Sequence, residues 1–182
     1  MLKMAYEEID KQETLNTAGQ GVSGFFGFPW NLLVDAASVP AIYMPMFMNI
    51  RNIFGRGYFE TYKVKSLIIQ IAPEILVDLL LDKGLGSIPV AGIYFNAICA
   101  KNMTWRLGIL FTMISASGDE ISTSKISQAM TVIRMTFPQE GLWRFKRPEF
   151  REFERLCEKF MNLSAYEFNA RVERELRSLK RF

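Results

Sequence analysis

Apolar residues in the middle of the chain are interrupted by a polar residue at every fourth position. Within residues 66–83 the intervening residues are almost all Ile, Leu or Val, and the regularly spaced polar residues are Ser66, Gln70, Glu74, Asp78 and Asp82. Because four residues almost complete a helical turn, these polar groups form one narrow stripe. The pattern predicts a helix that is buried on nearly all its other sides.

A second apolar segment follows the turn at residues 84–87. Residues 88–115 carry only two charges, Lys101 and Arg106. A short Gly-containing turn between two helical patterns is typical of antiparallel neighbours. The sequence therefore predicts a central apolar helical hairpin made of residues 66–83 and 88–115.

The C-terminal region predicts two amphipathic helices. The spacing of its apolar residues places one group on a single face: Phe150, Phe153, Leu156, Cys157 and Phe160. A capping box from Ser164 to Glu167 begins the last helix. Helical spacing aligns its apolar residues Phe168, Val172, Leu176 and Leu179.

Two further segments complete an all-α helical bundle. Three prolines predict that residues 22–54 form two short helices, because a proline inside a helix removes a backbone hydrogen bond. The spacing of Ser117 and Glu120 predicts another helix, which runs to residue 137. Its expected inner face consists of Ile126, Met130, Ile133 and Phe137. No alternating strand pattern extends beyond a few residues.

Charge is distributed unevenly along the 182 residues. The net charge is +3, from 22 Lys and Arg against 19 Asp and Glu. Residues 140–182 hold 11 bases and 8 acids, which accounts for the whole excess. We therefore expect an apolar helical body at residues 1–140 and a charged C-terminal helical hairpin at residues 141–182, packed on the same domain.

The absence of histidine excludes several kinds of chemistry. The chain contains no His, so imidazole bases, imidazole metal ligands and Ser-His-Asp or Cys-His mechanisms are impossible. Its two cysteines lack a disulfide-scaffold spacing and are expected to be reduced thiols. The acidic start, with Glu7, Glu8 and Asp10, differs from an export signal. We predict no catalytic residues, no cofactor and no metal.

Six charged residues lie in apolar surroundings and are expected to be buried polar groups. They are Asp35, Glu74, Asp78, Asp82, Lys101 and Arg106. The three carboxylates of the stripe could bind a hard cation. Alternatively, they pair with Lys101, Arg106 or Lys63, or they face water. This second interpretation is favoured, because buried charges require partners.

A basic and aromatic segment joins the body to the C-terminal helices. It consists of Trp143, Arg144, Phe145, Lys146 and Arg147. Amphipathic rings beside basic side chains favour contact with lipid headgroups or with a protein partner. The alternatives are an internal connector whose aromatic rings pack inward, and stacking on single-stranded nucleic acid. Because the neighbouring helices lack an unopposed basic face, we expect no nucleic acid partner.

The apolar body raises the question of membrane insertion. Residues 84–100 are uncharged, but this run of 17 falls short of the roughly 20 residues that span a bilayer. The helix at residues 66–83 carries three carboxylates, which are costly in lipid. Burial in protein is favoured over an integral membrane protein, while peripheral attachment or insertion of residues 22–50 into one leaflet stays open.

A family resemblance adds to this interpretation. The segment GSIPVAG at residues 86–92, followed by Asn96 and Ala97 and by a helix with Lys101 and Arg106, resembles the core of bacterial EcsC-like proteins and of related GTPase-associated helical domains. Upstream, the same resemblance extends to Asp35, Pro40, Ile50 and Phe54-Gly55, so that it covers about residues 20–118. It implies an all-helical, membrane-associated bacterial protein without established catalytic residues, linked to transport or secretion.

These observations together predict a non-catalytic adaptor. We expect it to be cytoplasmic, peripheral to the inner membrane, and to bind the membrane surface or a membrane protein, with homo-oligomerisation as an option. The alternatives are a pore-forming or toxin-like protein that inserts an apolar hairpin, and a carboxylate-dependent metalloenzyme.

Overall fold

The regular secondary structure of the described residues is entirely α-helical. The computed structural model describes residues 1–23, 38–57, 66–67, 89–118, 123–139 and 144–180. Its helices are α1 (Leu2–Ser23), α2 (Ser38–Ile53), α3 (Pro89–Ser117), α4 (Thr123–Thr136), α5 (Phe150–Glu158) and α6 (Ala165–Leu179). The all-α class predicted from the sequence is confirmed.

Helix α3 lies at the centre of the described structure. Every residue from Asn102 to Ser117 is buried, because α1, α2, α4 and α5 all pack against this helix. The second arm of the predicted hairpin therefore exists, and its bounds differ from those expected by one or two residues. The first arm, residues 66–83, lies outside the described residues except for Ser66 and Leu67, so the hairpin itself stays a prediction.

Helix α1 covers one side of α3. Its buried residues Leu2, Ala5 and Ile9 recur at intervals of three or four and join the main hydrophobic cluster. Helix α1 also contains Val22, which the sequence assigns to a short helix starting there. That assignment is wrong, because the helix that begins at residue 2 continues through residue 22.

Helix α2 runs through two prolines that were expected to interrupt it. Pro40 lies in the first turn, where backbone N–H groups have no intrahelical partner, and Pro45 lies inside the helix on its exposed side. The opposite face buries Tyr43, Phe47 and Ile50 against the core. Packing of this face stabilises the helix despite the hydrogen bond that Pro45 removes.

The segment after α3 also differs from the prediction. Ser117 does not cap α4, because it is the last residue of α3 and its hydroxyl donates a hydrogen bond to the carbonyl of Ile114 at 2.8 Å. Helix α4 is described from Thr123 to Thr136. The residues expected on its inner face do lie inward: Ile126, Met130 and Ile133 are buried, and Phe137 is partly buried against the core.

The two C-terminal helices match their predicted faces. Phe153, Cys157 and Phe160 are fully buried, as are Phe168 and Val172 of α6. They belong to the same hydrophobic cluster as the residues of α1 to α4. The C-terminal helices therefore pack on the body.

Residues from two connections that are distant in the sequence donate hydrogen bonds to backbone carbonyls at the carboxyl end of α3. Arg56, just after α2, donates from Nε to the carbonyl of Ser115 at 3.2 Å. Asn162, just after α5, donates from its backbone N–H to the carbonyl of Ala116 at 2.8 Å. The last turn of a helix lacks intrahelical donors for its carbonyls, so these two contacts stabilise the helix end.

Candidate functional site

The connector, defined here as residues 144–149, is attached to α1 by Arg147. Its Nη1 lies 2.8 Å from Oδ1 of Asp10, and its Nε donates a hydrogen bond to the hydroxyl of Tyr6 at 3.1 Å. The Tyr6 hydroxyl in turn donates to the carbonyl of Pro148 at 2.7 Å. Three polar contacts within two consecutive residues fix the backbone of the connector against the helix.

Aromatic rings surround the same arginine. Its guanidinium carbon lies 5.2 Å from the ring centroid of Tyr6 and 5.6 Å from that of Trp105. The Tyr6 ring also contacts Phe150 and Phe153, with centroid distances of 5.4 and 5.3 Å. Arg147 is thus held by cation–π contacts as well as by charge.

Lys101 makes a second attachment one turn further along α1. Its Nζ lies 2.9 Å from Oε1 of Glu13 and 5.6 Å from the ring centroid of Phe145. The side chain of Lys101 is 32% exposed, whereas that of Glu13 is 8% exposed. Lys101 is therefore only partly buried, while Arg106, the other base predicted to be buried, is 5% exposed.

The connector side chains alternate between the core and solvent. Phe145 packs against the hydrophobic cluster, and the guanidinium of Arg147 bends back to α1. Arg144 and Lys146 are exposed. Of the predicted contact residues, Phe145 packs inward, Arg147 binds α1, and Arg144 and Lys146 have exposed side chains.

The partners of the connector on α1 were missed from the sequence. Tyr6, Asp10 and Glu13 follow one another at intervals of four and three residues, so they share one face of α1. This spacing is a detectable signal.

A polar network one turn further along α1 was also missed. The amide nitrogen of Asn16 donates to the hydroxyl of Thr104 at 3.1 Å, and the Tyr43 hydroxyl lies 3.4 Å from the same oxygen. Burial raises the pKa of Tyr43 to about 12, so its phenol stays neutral. The network joins α1, α2 and α3 around one threonine.

Carboxylates of α6 are bound by basic residues of neighbouring segments. Oε1 of Glu173 lies 2.6 Å from Nζ of Lys125, and Oε2 of Glu175 lies 2.7 Å from Nζ of Lys159. The hydrogen bond and charge of Lys125 lower the pKa of Glu173. These acids are thus neutralised locally rather than presented to a partner.

Most of the exposed charged residues at the C-terminal end are basic. In the continuous stretch from residue 144 to residue 180, eight basic and four acidic residues are exposed. The exposed bases are Arg144, Lys146, Arg147, Arg151, Arg155, Arg174, Arg177 and Lys180. The exposed acids are Glu149, Glu152, Glu158 and Glu167. The carboxylate of Glu167 accepts hydrogen bonds from Ser164, as the predicted capping box requires, and these bonds lower its pKa.

The other predicted site residues lie outside the described residues. They are Asp35, Glu74, Asp78, Asp82 and Trp143. Among the described residues, no group of three or more acidic or cysteine side chains could hold a metal ion. Cys157 is a free, buried thiol, and burial raises its pKa, which disfavours the nucleophilic thiolate.

In the part of the chain that the structure describes, no helix has both the length and the apolar character needed to cross a bilayer.

In comparisons with known proteins, no family model, no curated protein and no solved structure matches this chain. The resemblance to EcsC-like proteins therefore stays a prediction that rests on the sequence motifs alone.

Proposed function

We propose that this protein is a non-catalytic adaptor that attaches peripherally to an anionic membrane surface. The connector provides the contact, through Arg144 and Lys146. Further exposed bases follow in α5, in α6 and at Lys180. The helical body is the scaffold that positions these segments.

The attachment of the connector to α1 supports this proposal. Because Arg147 and Pro148 are held by Asp10 and Tyr6, the neighbouring side chains of Arg144 and Lys146 extend from a fixed backbone. Preorganised groups lose less conformational entropy on binding than groups on a mobile loop. A short, exposed basic segment of this kind suits a surface of lipid phosphates.

The observation that carries the proposal is the excess of exposed bases between residues 144 and 180. There are eight exposed bases and four exposed acids, and because Arg147 is paired with Asp10, the excess is three charges. Each base near an anionic bilayer contributes about 1 kcal/mol, so this excess corresponds to about 3 kcal/mol and a dissociation constant of about 6 mM. Attachment by this surface is therefore reversible and sensitive to salt.

The position of α3 favours attachment to the surface over insertion of this helix. Residues 102–117 are buried on all sides by other helices of the protein. Moving them into lipid requires the loss of contacts with α1, α2, α4 and α5, including the packing of Trp105 and Phe111. Lipid tails provide no hydrophobic gain over such a protein interior.

Co-sedimentation with vesicles of phosphatidylserine and phosphatidylcholine tests the proposal. The wild-type protein is expected to bind these vesicles and to remain free when the vesicles contain phosphatidylcholine alone. The double variant R144Q/K146Q removes two exposed bases and is expected to bind about 30-fold more weakly, at about 1 kcal/mol per base.

The matched control is K3Q/K11Q, which removes two exposed bases from α1 and changes the net charge equally. It should bind nearly as well as the wild type. Equal weakening of both double variants would show that only net charge matters and would contradict a specific role for the connector. Unchanged binding of R144Q/K146Q would also contradict it.

A further inference from the structure

The outward face of α6 forms a second basic surface, which the connector does not include. Its exposed residues Tyr166, Arg174, Arg177 and Lys180 recur at intervals that keep them on one side of the helix. Tyr166 is 82% exposed and the side chain of Arg177 is 76% exposed. At 1.5 Å per residue, the surface extends over about 21 Å.

The opposite face fixes α6 to the body. Phe168 and Val172 are fully buried, and the ring centroid of Phe168 lies 5.0 Å from that of Phe160. Leu176 and Leu179 pack against the same cluster. The basic face is therefore held outward by the packing of its own helix.

Glu173 is neutralised on this face. It lies on the same side of the helix as Tyr166 and Arg177, and its carboxylate contacts Lys125 at 2.6 Å and Arg177 at 3.4 Å. Lys125 comes from α4, so the neighbouring helix supplies the compensating charge. The three bases of this face outnumber its one uncompensated acid, Glu167, which is exposed near Arg174 and accepts hydrogen bonds from the neutral Ser164.

We infer that this face of α6 is a second docking surface for anionic phospholipid. It combines a tyrosine at one end, whose amphipathic ring suits the headgroup region, with three bases over the following turns. Single-stranded nucleic acid is less well matched, because its binding sites combine a basic groove with several aromatic rings for stacking. The inference rests on the proposed membrane attachment and adds a second contact to it.

Vesicle co-sedimentation with R174Q/K180Q tests the inference. These substitutions spare the ion pairs of Lys125 with Glu173 and of Lys159 with Glu175. Affinity for phosphatidylserine-containing vesicles should fall about 30-fold, at about 1 kcal/mol per removed base, while K3Q/K11Q should remain near the wild type. Tyr166→Ala should also weaken binding. Circular dichroism and urea unfolding verify that the variants are folded.

The outcomes separate this inference from the proposed function. If the wild type fails to bind anionic vesicles, both are wrong. If R144Q/K146Q binds weakly but R174Q/K180Q matches K3Q/K11Q, the inference about α6 is overturned and the connector proposal stands. Loss of polyuridylate binding in R174Q/K180Q with unchanged vesicle binding would assign this face to nucleic acid and would also overturn the inference.

Discussion

Ile9 of α1 lies directly over Gly108 of α3, so closely that a side chain at position 108 has no room. A Cβ atom built on Gly108 would lie 2.5 Å from Cγ1 of Ile9 and 2.8 Å from both Cδ1 and Cγ2. Ile9 is fully buried and its branched side chain is rotationally restricted. The absence of a side chain at Gly108 therefore sets the close approach of these two helices.

Gly108→Ala should destabilise the protein, although alanine favours helix formation by about 1 kcal/mol relative to glycine. Overpacking of the buried contact costs about 1–3 kcal/mol and exceeds this gain. Urea unfolding should therefore show a lower free energy of unfolding for G108A. In the I9A background the same substitution should be harmless. A more stable G108A protein would show that the contact is looser than described.

Tyr6→Phe should loosen the connector while preserving the ring contacts of Tyr6. The variant loses the hydrogen bonds to Pro148 and Arg147, worth about 1 kcal/mol each in general. Trypsin should then cleave faster after Arg144 or Lys146, since the bond between Arg147 and Pro148 resists trypsin. Tyr166→Phe, at an exposed position, is the control and should leave the cleavage rate unchanged. Equal cleavage rates in all three proteins would contradict the described attachment.

The ion pair between Lys125 and Glu173 should make α6 packing dependent on pH. The folded pKa of Glu173 is below its ordinary value of 4.5, so the pair stabilises the protein above that value. This contribution disappears as the pH falls through the folded pKa. Lys125→Gln should therefore be less stable than wild type at neutral pH, and the difference should shrink below pH 4.5. A difference that is independent of pH in urea unfolding would exclude this origin.

Asn162 occupies a left-handed backbone conformation, with φ of 56°, while its N–H binds the end of α3. Asn162→Ala should destabilise the protein by about 1 kcal/mol, because a Cβ without a polar group is strained in this region. Asn162→Gly should be tolerated, since glycine adopts positive φ readily. Thermal unfolding distinguishes these variants. Equal stability of N162A and wild type would contradict the described turn.

The sequence predicts the C-terminal helices well because their signals are local. The apolar residues around Phe153 and Phe168 recur with helical spacing, and the Ser164 capping box provides its own start signal. The nearly continuous apolar pattern similarly predicts α3. In each case the inner face and the helix bounds follow from neighbouring residues alone.

The errors concern features that depend on distant residues. Helix α1 has only a narrow apolar stripe, which includes the small residue Ala5 and the buried acid Glu13. Its packing on α3 is therefore evident only from the three-dimensional structure. Pro45 is accommodated because the other face of α2 packs on the core. Ser117 has the spacing of a helix cap, but the continuation of α3 includes it.

The candidate site is predictable only in part. The basic and aromatic connector is visible in the sequence, but the inward position of Phe145 and Arg147 depends on Lys101, Tyr6 and Asp10. Likewise, net charge does not reveal which carboxylates are bound internally. The paired carboxylates can be recognised only from the way α4, α5 and α6 are arranged in the structure.

The dependence of vesicle binding on salt tests the central claim most directly. The screening length falls from about 10 Å at 0.1 M salt to about 3 Å at 1 M salt. If exposed bases attach this protein to an anionic membrane, co-sedimentation with phosphatidylserine-containing vesicles should be measurable at the lower concentration and lost at the higher. Binding that is equal for anionic and neutral vesicles, or that persists at high salt, would contradict the account.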